Sequence, residues 1–223
     1  MGQGVEDWKR YESQLEALGH LGYNYDDTHK ETFTDRLGWK VDQYGSHLED
    51  EPPGEPLLDG PFVRAKDILQ AYRFPPPSII KGIFRPELAL EGRNMLLRAR
   101  FMGFTFYFGA RVNKVYDEIR RHADQGPYRA WGYSYRTLKG HFEMGEIRFE
   151  LAKYLETGRI EFHINAYSKP DQIPQLLYRI GFRMFGRSLQ RVFAHESMHR
   201  LKRMVKQGGP PPPLHIEEPK QFF

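Results

Sequence analysis

The chain of 223 residues contains no cysteine. Disulfides, thiolate nucleophiles, cysteine-ligated zinc and iron–sulfur clusters are therefore excluded, and the expected compartment is the cytoplasm. No apolar run approaches the ~20 residues that cross a bilayer, so no transmembrane segment is expected. The stretch from Met1 to Asp7 has neither the basic nor the apolar region of a secretory signal. Gly2 is not followed by a myristoylation motif, since Val5 and Glu6 do not continue one. A glycine-rich phosphate loop, a Gly-x-Ser-x-Gly elbow and an aspartate-rich calcium loop are missing too. Nucleotide hydrolysis and α/β-hydrolase chemistry thus have no support, and no cofactor is expected.

What is present is a globular composition with 14% aromatic residues. The net charge of +4 hides a division. Between Glu6 and Asp59 there are 14 acidic and 5 basic residues; between Asp171 and Lys206 there are 2 acidic and 8 basic. Either the acidic segment lies against the basic helix of the same molecule, or the basic surface meets anionic partners.

Trp8, Tyr11, Leu15 and Leu18 follow helical spacing, which predicts a short amphipathic helix over Asp7–Leu18. Gly22 to Gly60, rich in Gly, Pro, Asp and Asn with scattered aromatics, reads as an ordered but irregular arm. Phe62, Ala65, Ile68, Leu69 and Tyr72 mark a helix between Gly60-Pro61 and Pro75-Pro76-Pro77. Strand periodicity follows over Asn94–Phe101, Phe104–Val115 and Tyr128–Leu138. A hairpin follows, with Ile147, Phe149 and Leu151 opposite Ile160, Phe162 and Ile164. From Ser168 a long helical pattern runs to Lys206, with Gly181 and Gly186 either kinking it or separating two helices. This division gives an acidic helix and arm over 1–59, a core over 60–206 and a proline-rich tail over 207–223. The fold class is α+β: a curved antiparallel sheet gripping a long C-terminal helix. Such an arrangement often leaves a cavity between sheet and helix.

Three stretches resemble uncharacterised protein family 0548, a family of domains of unknown function. They are Tyr135-Arg136-Thr137-Leu138-Lys139-Gly140-His141 with Glu143, Gly145 and Glu146; Ala166-Tyr167-Ser168-Lys169-Pro170; and Gly181-Phe182-Arg183 with Gln190, Phe193 and Ser197. Leu90 to Leu97 looks like a subgroup of that family. The resemblance covers 60–206 and implies the helix-grip superfamily, which includes START-like carriers. It brings the expectation of a small, largely apolar ligand but no reaction.

The best candidate site in the residues themselves is Gly140 to Glu146. A histidine beside two carboxylates, His141, Glu143 and Glu146, suits acid–base work or a polar ligand group. The same residues also read as a strand turn whose charges pair with Arg136 or Arg148. Tyr133 and Tyr135 either line the cavity or belong to the core. The favoured reading is a binding domain in which Tyr133, Tyr135, Arg136, His141, Glu143 and Glu146 meet the ligand. An enzyme acting through His141, Glu143 and Glu146 is the alternative.

Two further features stand on the last helix. His195-Glu196-Ser197-Met198-His199 matches the zinc pattern H-E-x-x-H. Arg200 follows directly, however, and the remaining donors His215, Glu217 and Glu218 lie in the tail, so no metal is expected. The histidines also continue a basic ridge, Arg179, Arg183, Arg187, Arg191, His195, His199 and Arg203, at four-residue steps. It suits a solvated face, or an adaptor at an anionic membrane surface. Nucleic acid is not favoured, because no stacking groups can be placed with the charge.

Overall fold

A computed structural model describes residues 8–101, 104–171 and 176–208. The side chains of 31, 101, 104 and 176–189 are not part of that description. Helix α1 spans Glu12–Gly19 after a 3-10 turn at Trp8–Tyr11. Strand β1 spans Lys40–Asp50 and helix α2 Pro61–Gln70. Strands β2 to β7 span Ile80–Ile83, Asn94–Phe101, Phe104–His122, Gly126–Thr137, Glu143–Tyr154 and Arg159–Pro170. Helix α3 spans Leu176–Lys206 without interruption at Gly181 or Gly186. The strands form one sheet in the order β1-β7-β6-β5-β4-β3-β2, every neighbour antiparallel. The molecule is α+β, as the grouping of strands between helices implies.

Alternation sorts the strand residues between two faces. The inner face carries Tyr133, Phe149, Leu151 and Phe162. It packs against Phe62, Ile68 and Leu69 of α2 and Met198, Leu201 and Val205 of α3. Residues between Trp8 and Trp39 cover part of the outer face. Leu15 and Leu18 of α1 close over Ile83, Leu96 and Leu138. Arg111 caps α1 by donating to the carbonyls of Leu18 at 2.7 Å and Leu21 at 3.1 Å. Further along, Phe33 stacks on Trp39 at 3.8 Å, and both rings meet Tyr25 and Tyr167.

The expectation of an irregular arm over 22–60 is corrected at Lys40–Asp50, which forms the edge strand β1 on β7. Its inward positions, Asp42, Tyr44, Ser46 and Leu48, mix polar and apolar types, so no clean two-residue period shows. The helix expected as far as Phe74 ends at Gln70, because Tyr72 adopts a left-handed φ of 50°. The Tyr72 ring is held there by Phe74 and Phe149. It fits because residue 82 is glycine: a Cβ at Gly82 would come within 2.6 Å of the ring. The last helix starts later than its pattern suggests, since β7 continues through Ser168 to Pro170.

Among the described residues, acidic groups of the N-terminal segment pair with the sheet and its loops. Arg85 pairs with Glu12 and Glu16, Arg136 with Asp27, and Lys153 with Glu51. Lys206–Glu49, at 3.6 Å, is the ion pair to α3 among the described residues. The Lys153–Glu51 pair, at 2.6 Å, is fully buried. Glu51 also accepts from the backbone N–H of Phe62 at 2.8 Å and Leu57 at 3.1 Å, and Lys153 donates to the Glu55 carbonyl at 3.0 Å. Both ends of this buried pair are thus hydrogen-bonded beyond their mutual contact, and it pins the loop before α2 to the sheet.

Candidate functional site

A cavity of about 200 Å³ lies between the inner face of the sheet and α3. Leu97, Phe108, Ile147, Ile164 and Phe193 supply apolar walls. One end is polar, where Tyr135, His141, Glu143, Ser168 and Gln190 converge.

The strands explain the convergence. Register sets Tyr135 beside Ile147 and Ile147 beside Ala166, all pointing inward. One step along the same face Gly145 meets Ser168, and Glu143 follows at the start of β6. The arm fixes that start from behind. Asn24 Nδ2 donates to the Glu143 carbonyl at 3.0 Å and to Asp171 at 3.1 Å, while its Oδ1 accepts from Thr137 at 2.6 Å.

Glu143 accepts a hydrogen bond from Gln190 Nε2 at 2.8 Å, which ties β6 to α3. Burial pushes its carboxyl from the ordinary 4.5 up to about 7; bonds from Ser168 and Gln190 pull against that, and Asp42 adds to it. His141 is buried between Phe108 and Phe142, with ring centroids at 4.4 and 4.8 Å. Its Nδ1 accepts from the Glu143 backbone N–H at 2.9 Å, which puts the ring proton on Nε2. Burial lowers its pKa to about 3, so the imidazole is neutral across the physiological range. The Tyr135 and Tyr72 hydroxyls lie 3.2 Å apart, and burial raises Tyr135 to about 12. One hydroxyl donates to the other, and Tyr135 lines the cavity.

The six residues expected to meet a ligand separate. Tyr135, His141 and Glu143 gather at the polar end. Tyr133 is buried in the core, its hydroxyl donating to the Leu69 carbonyl at 3.0 Å. Arg136 faces the outer layer, sandwiched between the rings of Tyr23 and Tyr25 at 4.1 and 4.5 Å and paired with Asp27 at 2.8 Å. Glu146 borders the cavity, but Asn113 at 3.1 Å and the Tyr167 hydroxyl at 3.2 Å take up its carboxylate on the outer side. Residues 143 and 146 are three apart in a strand, so their side chains leave opposite faces. The grouping of His141, Glu143 and Glu146 as one acid–base set is therefore corrected. Asp42, Ser168 and Gln190 join the site without having been expected there. Ser168 and Gln190 nevertheless belong to the family-like motifs, and that is their signal in the sequence.

The other sequence features lie elsewhere. His195 and His199 are exposed on α3, His195 edge-on to Tyr44 at 5.7 Å. Among the described residues no group of three or more His, Cys, Asp or Glu is placed to hold a metal. The further donors His215, Glu217 and Glu218 fall outside the described residues. Of the basic ridge, Arg191 and Arg203 are exposed, while the side chains of Arg179, Arg183 and Arg187 lie outside the description. No described helix is long and apolar enough to cross a membrane.

Residues 24–200 match the family model of a domain of unknown function, DUF1990. No curated protein matches the chain. Among solved structures, the fold is similar to the crystal structure of Ara h 8.0201, with 11% identity and a TM-score of 0.41 over 76% of this chain and 99% of that one. It is similar to TTHA0849 from Thermus thermophilus, with 10% identity and a TM-score of 0.45 over 75% and 98%. Human STARD10 is similar with 10% identity and a TM-score of 0.39 over 93% and 81%.

Proposed function

The chain belongs to the DUF1990 family, and we propose that it is a non-enzymatic binding domain of the helix-grip kind, as the likeness to family 0548 implies. Its ligand is a small, largely apolar molecule held between sheet and helix. The polar end of that ligand meets Tyr135, His141, Glu143 and Gln190.

One observation carries the reading. The three motifs that make the sequence recognisable are far apart in the chain, yet each sends residues into the same cavity. The first contributes Tyr135, His141 and Glu143, the second Ala166 and Ser168, the third Gln190 and Phe193. Motifs that served only the fold would have no reason to meet around a cavity. The volume also suits the purpose, since a dry cavity of about 150 Å³ accepts benzene. His141, neutral and tied by Nδ1, presents its Nε2–H as a fixed donor rather than a proton shuttle, which favours holding a ligand over reacting with it.

The test is thermal unfolding with a set of small apolar probes, an alcohol, a ketone and an aromatic. A probe that binds the native state at about a hundredfold excess over Kd adds about 2.7 kcal/mol. Ala166→Phe, which fills the cavity from β7, removes that gain. No response to any probe would sink the reading.

A further inference from the structure

Further along α3 from the polar end of the cavity, three arginines meet where α2 ends. Arg200 of α3 donates from Nε to the Arg73 carbonyl at 3.1 Å, which fixes its guanidinium against the segment that follows α2. Arg203 follows about one helical turn later. The charges of Arg203 and Arg73 both act on Arg200 and, with burial as the largest cause, lower its pKa.

Among the described residues none of the three has a carboxylate within ion-pair distance. Glu196, one turn before Arg200, makes no pair with it. Elsewhere Arg85, Arg120, Arg129, Arg136 and Arg159 are each paired with Asp or Glu. Arg200 feels the positive charges of Arg73 and Arg203 without a carboxylate beside it, and its partial burial has removed part of its hydration. A dianion between them would turn that repulsion into attraction, and the guanidinium fork matches phosphate oxygens in pairs.

We infer that Arg73, Arg200 and Arg203 form a binding site for a phosphate group, either free phosphate or the headgroup of an anionic lipid. The site is separate from the cavity and uses only one residue of the basic ridge, Arg203. Arg200 holds a fixed orientation through its bond to the Arg73 carbonyl, while the Arg73 and Arg203 side chains complete the charge around the anion.

The experiment uses the full chain and two variants, Arg73→Gln and Arg203→Gln, whose side chains contribute no described ion pair or hydrogen bond to the fold. Binding of inorganic phosphate is measured by thermal shift and by amide chemical shifts, against chloride at equal ionic strength. Co-sedimentation is measured with phosphatidylcholine vesicles with and without phosphatidate. Phosphate binding that weakens roughly tenfold in each variant supports the site with free phosphate as its source. Co-sedimentation only with phosphatidate, lost in both variants, supports it with a lipid headgroup as the source. Phosphate indistinguishable from chloride together with no vesicle binding overturns the inference. So does binding that both variants retain.

Discussion

Replacing Glu143 by Gln removes a titration that the fold makes costly. Glu143 is buried at the polar end of the cavity, and burial keeps its carboxyl protonated to about pH 7 in the folded chain instead of the ordinary 4.5. The unfolded chain releases that proton earlier. Between these two values the native state therefore binds more protons than the unfolded state, and stability falls as pH rises. At about 1.36 kcal/mol for each pH unit, the wild type is about 3 kcal/mol less stable above the upper value than it would be with a neutral side chain. The Glu143→Gln variant keeps an oxygen for the bond from Gln190 and cannot ionise. Urea unfolding followed by tryptophan fluorescence, at about pH 4, 6 and 8, gives the difference curve. The two proteins should agree at the acidic end, and the variant should gain about 3 kcal/mol by the basic end. Using the difference matters because His141 titrates in the opposite sense. Its folded pKa of about 3 lies below the ordinary 6.5, so it costs stability as pH falls through that window. Parallel curves for the two proteins would refute the placement of Glu143 in a low-dielectric cavity.

Other substitutions probe the frame around the site. His141→Gln should flatten the loss of stability below about pH 6, read from the same unfolding series. Lys153→Met leaves Glu51 buried without its partner and should cost about 3–5 kcal/mol, while adding Glu51→Gln should recover a substantial part in a double-mutant cycle. Ser197 Oγ is buried without a hydrogen-bond partner; Ser197→Ala should therefore hold or raise stability, by up to about 1 kcal/mol in urea unfolding.

Much of the frame can be read from the residue pattern, for reasons visible in particular elements. Strands β3, β5, β6 and β7 differ in the residues they send to their two faces, so their period of two is clear. Strand β1 is hidden because Asp42 and Ser46 point inward among Tyr44 and Leu48. Strand β2 is hidden because four residues after a run of prolines, one of them Gly82, leave too short a pattern. The polar end of the cavity is half legible. Tyr135, His141 and Glu143 lie close in the chain, so their neighbourhood stands out. Gln190 and Ser168 show only as parts of motifs, because their nearness to Glu143 depends on how α3 crosses the sheet. Arg136 and Glu146 join the expected site by proximity in the chain, although strand parity sets them on the opposite face from Tyr135 and Ile147. Sequence proximity suggests one cluster where the pleat makes two. Tyr133 shares the inward face but sits deeper, under Leu69 of α2, and only packing decides that.

A small apolar molecule held in the cavity beneath α3 should travel with the protein. Native mass spectrometry of the protein purified from its own host, compared with the denatured mass, tests it most directly. The wild type should carry an added mass of one small organic molecule, absent from Ala166→Phe. A bare native mass in the wild type, joined to a thermal response that no apolar probe changes, would contradict it.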